Sequence, residues 1–219
     1  MADTEKSYIP AAGRHWALPF YDLLVTLLGA NRVRKGLAER VAAQPGHRVL
    51  DVGCGTGSLL VALKEAQPAA EVTGLDPDPH ALAIARKKAA RRGMVPRLDQ
   101  GFAGELPYGD GSFDRVVSSL MYHHLPAAEK ERMLREVKRV LAPGGRFHML
   151  DFAGPGTARR GFLARHIHPS HALKENEQER VLAGMRSAGL ADARVAGTLS
   201  SHAGPLVFYE AGAPPSAPG

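Results

Sequence analysis

Apolar and polar positions along residues 47–152 switch repeatedly between a strand-like and a helix-like period. HRVLDVG (47–53) is a short apolar run of strand character, and SLLVALKEA (58–66) carries its apolar residues at helical spacing. EVTGLD (71–76) reads as a second strand and PHALAIARKKAARRG (79–93) as the next helix, with Asp78 in front as its cap. VPRLDQG (95–101) is a third strand candidate. FDRVVSSLM (113–121) is a fourth, followed by the amphipathic AAEKERMLREVKRVL (127–141), which stops at PGG (143–145). RFHMLDF (146–152) is a fifth strand.

This alternation predicts an α/β, doubly wound, mostly parallel sheet with helices on both faces, because parallel strands need crossover connections. After residue 152 a Gly/Pro/His-rich stretch leads to a helix over 174–190. ADARVAG and PLVFYEA then supply two late strands, one of them expected to be antiparallel. Residues 1–46 contain the helix-like WALPFYDLLVTLLG and are expected to form an N-terminal helical cap or layer of the same domain. The main domain is expected over 47–210, with AGAPPSAPG (211–219) a disordered tail by composition.

The chain's 219 residues suit one well-buried domain, and 44% hydrophobic with 23% charged residues is the balance of a soluble globular protein. MADTEKSYIP is polar, so no secretory signal is expected, and WALPFYDLLVTLLGA is too short to span a bilayer. A lone cysteine excludes an internal disulfide, and a cytoplasmic setting is expected. The net charge of +6 draws heavily on RKKAARRGMVPR (86–97). That stretch has no interleaved aromatics for base stacking, so it reads as a solvated helix face and no nucleic-acid partner is expected.

Candidate chemistry gathers at LDVGCGTGSL (50–59), where a strand ends in Asp51 and three glycines, Gly53, Gly55 and Gly57, precede a helix. A mononucleotide P-loop needs a Lys-Ser/Thr pair at the loop's end, and Ser58-Leu59 stands there instead. Dinucleotide loops have GxGxxG spacing; this loop is GxGxG, which argues against an NAD-linked oxidoreductase. Asp51 would repel phosphates and suits an ammonium group, as in the amino-acid moiety of S-adenosylmethionine. Asp76, at the second strand's tip, can accept from ribose hydroxyls.

VLDVGCGTG, GLDPDPHALAIARKKA, LPYGDGSFDRVVSSLMYHHL and LREVKRVLAPGGRF, in this order, resemble the class I S-adenosylmethionine-dependent methyltransferases. The branch they resemble is the small ubiquinone/menaquinone-biosynthesis-like group, and the likeness spans roughly residues 45–152. It implies a seven-stranded Rossmann-like sheet, S-adenosyl-L-methionine as methyl donor, S-adenosyl-L-homocysteine as product and a small-molecule acceptor. It places Tyr21, Asp51, Gly53, Cys54, Gly55, Gly57, Asp76, Pro77, Phe102, Ala103, Ser119 and Leu120 around the cofactor. Phe102 stands where many relatives carry an adenine-binding Asp, so adenine recognition would rest on stacking and backbone groups. A non-catalytic S-adenosylmethionine-binding protein on the same fold is the alternative this departure raises.

Methyl transfer asks mainly for positioning and exclusion of water, and for a base only where the nucleophile must lose a proton. The resemblance sets Tyr122, His123 and His124 beside the donor, with His123 as base or substrate anchor and His124 packing locally. Asp151 is expected to orient a substrate hydroxyl or amine. His166, His168 and His171 have no carboxylate or cysteine nearby in sequence, so they read as part of a substrate lid and no metal is expected. The resemblance sets Tyr21-Asp22 over the cofactor, and the aromatic cap followed by RVRK (32–35) would touch a bilayer surface peripherally or pack as core. The acceptor is expected to be apolar or ring-containing, and the protein a monomer or homodimer.

Overall fold

The computed structural model describes residues 31–154, 177–201 and 204–214. One seven-stranded sheet runs in the order β3-β2-β1-β4-β5-β7-β6. At its centre β1 (Arg48–Val52) pairs in parallel with β2 (Glu71–Asp76) and with β4 (Phe113–Ser119). Parallel pairing extends outward to β3 (Arg97–Gln100) on one side and β5 (Leu141–Phe152) on the other. β7 (Gly204–Gly212) is antiparallel both to β5 and to β6 (Ala191–Ser201), so it is the reversed strand expected from PLVFYEA. Covered on both faces, β1 has no need of alternation, and Val49, Leu50 and Val52 are all buried.

Helices fill both faces. On one side α1 (Asn31–Val41) and α2 (Ser58–Ala66) share a core, in which Leu37, Ala38 and Val41 meet Leu59, Leu60, Leu63, Leu150 and Phe208. The described part of the N-terminal segment is therefore a layer of the domain. α3 (Pro79–Ala90) lies on the same side, with Ala89 in that core, and is capped by Asp78, whose carboxylate accepts from His80 N at 2.8 Å. On the other side α4 (Ala127–Val140) buries Met133, Leu134, Val137 and Val140, an apolar stripe at helical spacing, against α5 (Gln178–Ser187) and the sheet.

Three boundaries differ from expectation. β5 starts at Leu141, directly after α4, because Leu141 already pairs with Phe113 and the Pro-Gly-Gly run is absorbed as a register shift before Arg146 meets Arg115. α5 ends at Ser187, where Gly189 at φ 83° turns the chain and Leu190 N donates to Met185 O. Ala211 and Gly212 belong to β7, paired with Phe147 and Arg146, so the expected tail begins later; residues 215–219 lie outside the described residues. Among the described residues, no helix is long and apolar enough to cross a membrane.

Candidate functional site

The C-terminal tips of β1, β2, β4 and β5 stand along one edge of the sheet. Connections leave β1 and β4 in opposite directions there, which opens a crevice between them. The glycine loop fills the β1 side of it. Gly53 has φ 72° and no room for a side chain: a Cβ would come within 2.5 Å of Met121 Cγ. Gly57, at φ 75°, lets α2 start against α3, where a Cβ would meet that of Ala85 at 2.7 Å. A Cβ on Gly55 would meet nothing within 4 Å, which marks the open side of the loop.

Most of the loop's donors are already engaged within the protein. Gly53 N and Cys54 N both donate to Leu75 O, Gly57 N to Cys54 O, and Gly55 N to Asp76 Oδ2 at 2.8 Å. Lys88, from the basic helix read as a solvated face, donates to Thr56 Oγ1 and Ser58 Oγ and so clamps the loop from α3. A pyrophosphate would need those N–H groups, so the loop suits a dinucleotide poorly.

Asp51 is 1% exposed at the tip of β1, and its Oδ2 has no hydrogen-bond partner among the described residues. Burial, with the charge of Asp76 added, pushes its pKa up to about 7, against the opposing pull of Arg34 and the Leu60 N–H. Arg34, in the first turns of α1, was read in the sequence only as part of RVRK at a bilayer surface; the packing of α1 brings its charge to bear on β1's tip. Asp76 is also raised, by burial first, although N–H groups of Asp78 and Gly55 pull it down. Each Asp76 oxygen accepts one backbone N–H and keeps a lone pair for a further donor. Burial and both carboxylates raise the Cys54 thiol well above its ordinary value, so Cys54 is a small filler rather than a nucleophile. Gly101 N donates to Asp76 O, which brings the half-buried Phe102 and Ala103 next to this tip. Half-buried Pro77 follows Asp76 directly, and its carbonyl accepts from Gln100.

On the β4 side, Ser119 pairs with Leu150, and Leu120, at φ 55°, donates its N–H to Leu150 O. This turn delivers a short 3-10 helix, Tyr122–His124, to the crevice. Tyr122 is buried in the core of α4 and α5, with Lys130 Nζ 5.0 Å over its ring. His123 is 3% exposed, and its Nδ1 lies 2.6 Å from Asp151 Oδ1, while its backbone N donates to Asp151 Oδ2 at 2.9 Å. Phe152 N donates to the same carboxylate at 2.6 Å. Asp151 is fully buried; burial pushes its pKa up, but His123 and these hydrogen bonds outweigh burial and hold it below the usual carboxylate range. The expectation for Asp151 therefore changes: it faces His123 and two backbone N–H groups, not open crevice. His124 is partly exposed, its ring 3.9 Å from that of His123.

Tyr21, Asp22, His166, His168 and His171 lie outside the described residues. Among the described residues no group of three or more His, Cys, Asp or Glu side chains could hold a metal. A cavity of about 540 Å³ lies away from this chemistry, lined by Arg48, Thr73, Arg97, Tyr108 and Phe113 among others, and includes none of the candidate residues.

Comparisons with known proteins bear on the family and the fold. The methyltransferase domain family matches residues 49–145. Over 150 residues the chain is 42% identical to a demethylmenaquinone methyltransferase of Thermus thermophilus, covering 67% of each chain. A demethylmenaquinone methyltransferase of Deinococcus radiodurans is 39% identical over 158 residues, which are 71% of this chain and 64% of that one. The match thus spans about two thirds of these relatives' length. Among solved structures, the [4+2]-cyclase SpnF superposes with a TM-score of 0.69 at 24% identity, over 85% of this chain and 82% of that chain. A chain from the complex of the Haloferax volcanii Trm112 methyltransferase activator with a methyltransferase gives a TM-score of 0.72 at 21% identity, over 96% and 100%. Those two likenesses are of fold, and the fold alone serves more than one chemistry.

Proposed function

Since the chain belongs to the class I S-adenosylmethionine-dependent methyltransferases, in the ubiquinone/menaquinone group, we propose that it methylates a quinone-related small molecule. The observation that carries the reading is Asp51: a buried carboxylate oxygen without a partner among the described residues, beside a glycine loop most of whose donors are already used. Such a group fits the ammonium of S-adenosylmethionine, and the remaining lone pairs of Asp76 fit its ribose hydroxyls. Phe102 and Ala103 would flank the adenine by stacking and backbone contact. When bound, this cosubstrate supplies a methyl group already activated on a sulfonium. The chain's own task is to hold donor and acceptor in line and to exclude water.

A quinone ring is electron-poor and does not attack a methyl group, whereas its two-electron-reduced dihydroxy form does. The acceptor proposed is therefore a hydroxylated aromatic ring, supplied by a reduction. His123, delivered to the crevice by the turn after β4, is the proposed base or anchor for its hydroxyl. Anaerobic incubation with S-adenosylmethionine and a prenylated naphthohydroquinone tests this. One S-adenosylhomocysteine should form for each acceptor that gains a CH2 in mass. Formation of S-adenosylhomocysteine no faster than without protein would reject the reading.

A further inference from the structure

The His123 ring and Asp151 meet closely in the core of the site. Each Asp151 oxygen accepts one backbone N–H, Oδ1 from Phe152 and Oδ2 from His123, and Oδ1 also meets the His123 ring at 2.6 Å. Both side chains are almost fully buried, 3% and 0% exposed, and Phe152 closes the ring's edge at 5.1 Å between centroids. Such a buried pair holds only where close geometry and further hydrogen bonds offset desolvation, and here they fix which ring nitrogen meets the carboxylate. With Nδ1 facing a carboxylate, the other ring nitrogen, Nε2, is the one that can accept a proton.

We infer that Asp151 is a positioning residue for His123: it holds the proton on Nδ1, so that Nε2 takes the hydroxyl proton of the acceptor. This rests on the methyl-transfer reading above and narrows it. The acceptor belongs to the class whose nucleophilic atom is released only by losing a proton, a ring hydroxyl conjugated to the methylated atom. An amine or thioether brings its own lone pair and needs no such couple. In the step, the hydroxyl proton passes to Nε2 and its electron pair stays with the acceptor. The acceptor's nucleophilic atom bonds to the methyl carbon, and the C–S pair goes to sulfur. If that atom is a ring carbon, its own proton then leaves to water and the oxygen is reprotonated.

Among the described residues, three further side chains lie around the couple besides Phe152. The His124 ring lies tilted against that of His123 in the same turn, and Tyr122, with Lys130 above its ring, turns away into the core. From β7 comes Tyr209, whose buried hydroxyl is pushed up by burial and then by the charge of Asp151.

Two measurements decide the assignment. In the full-length protein with S-adenosylhomocysteine, nitrogen-15 spectra of labelled histidine should show His123 as the Nδ1–H tautomer. The signal is assigned by its loss in His123→Gln. An Nε2–H tautomer would overturn the proposal whether or not any acceptor turns over, which separates its failure from failure of the methyl-transfer reading. In Asp151→Asn the amide can donate to Nδ1 and favour the wrong tautomer, so kcat should fall roughly 10²–10⁴-fold. Affinity for S-adenosylhomocysteine should stay within about threefold, and the acid limb of the kcat/KM profile should move to lower pH. Unchanged kcat and pH profile in that variant, or faster methylation of an amine than of any hydroxylated ring, would count against it.

Discussion

Two buried aspartates sit at strand tips on the two sides of one crevice, and their surroundings treat them in opposite ways. Asp51, on the proposed donor side, has an oxygen without a partner among the described residues and a pKa raised to about 7. Asp151, on the acceptor side, meets a ring nitrogen and two backbone N–H groups, and its pKa is lowered. Burial is the largest single influence on both and pushes both upward. What differs is whether the protein supplies donors of its own. Under the proposed function Asp51 is left to meet a cation from outside, while Asp151 has donors of its own among the described residues.

The contrast breaks most visibly in cofactor affinity. Asp51→Ala or Asp76→Ala should weaken S-adenosylhomocysteine binding by at least about 100-fold, since each removes a charged partner of a polar ligand group. Isothermal titration calorimetry reads this, and Asp151→Asn serves as the insensitive control. Binding within threefold of wild type in both alanine variants would dismiss the donor-site assignment.

A smaller effect is the pH dependence of the same affinity. An ammonium pairs with ionised Asp51, so binding should strengthen about tenfold per pH unit below pH 7 and level off above it. A proton should be released on binding, which titrations in buffers of different ionisation enthalpy would detect. Asp51→Asn should abolish the slope.

The subtlest test is stability without ligand. A raised pKa means that the contribution of Asp51 is fully present below the carboxylate's unfolded pKa and is lost as pH rises through about 7. At pH 8 the ionised group therefore opposes folding, and Asp51→Asn should raise Tm by a few degrees. For Asp151 the sign reverses: its lowered pKa contributes stability above its unfolded value, lost as pH falls through the folded one. Asp151→Asn should thus lower Tm at pH 8. Shifts of the same sign in the two variants would mean that the two environments are not opposed.

Much of the donor side was legible in the sequence because its determinants are local. Asp51, the glycines and the start of α2 occupy one continuous stretch, directly after the apolar run that forms β1. Asp78 was readable as a cap for the same reason. The Pro-Gly-Gly run misled about the start of β5, since whether it ends a ladder or bulges within one depends on β4 beside it. Lys88 acts on the loop and Arg34 on Asp51 from other helices, at distances along the chain that no periodicity records.

By itself the sequence determined the order of strands and helices, the glycine loop and the acid at its entrance, because backbone preferences and hydrophobic period are properties of short segments. Only the tertiary structure decided that Asp151 faces His123. The two are 28 positions apart and meet because β4 and β5 run parallel and side by side, so that their C-terminal ends reach the same edge of the sheet. Whether a buried carboxylate waits for a ligand or already has its partners is set by which neighbours arrive there.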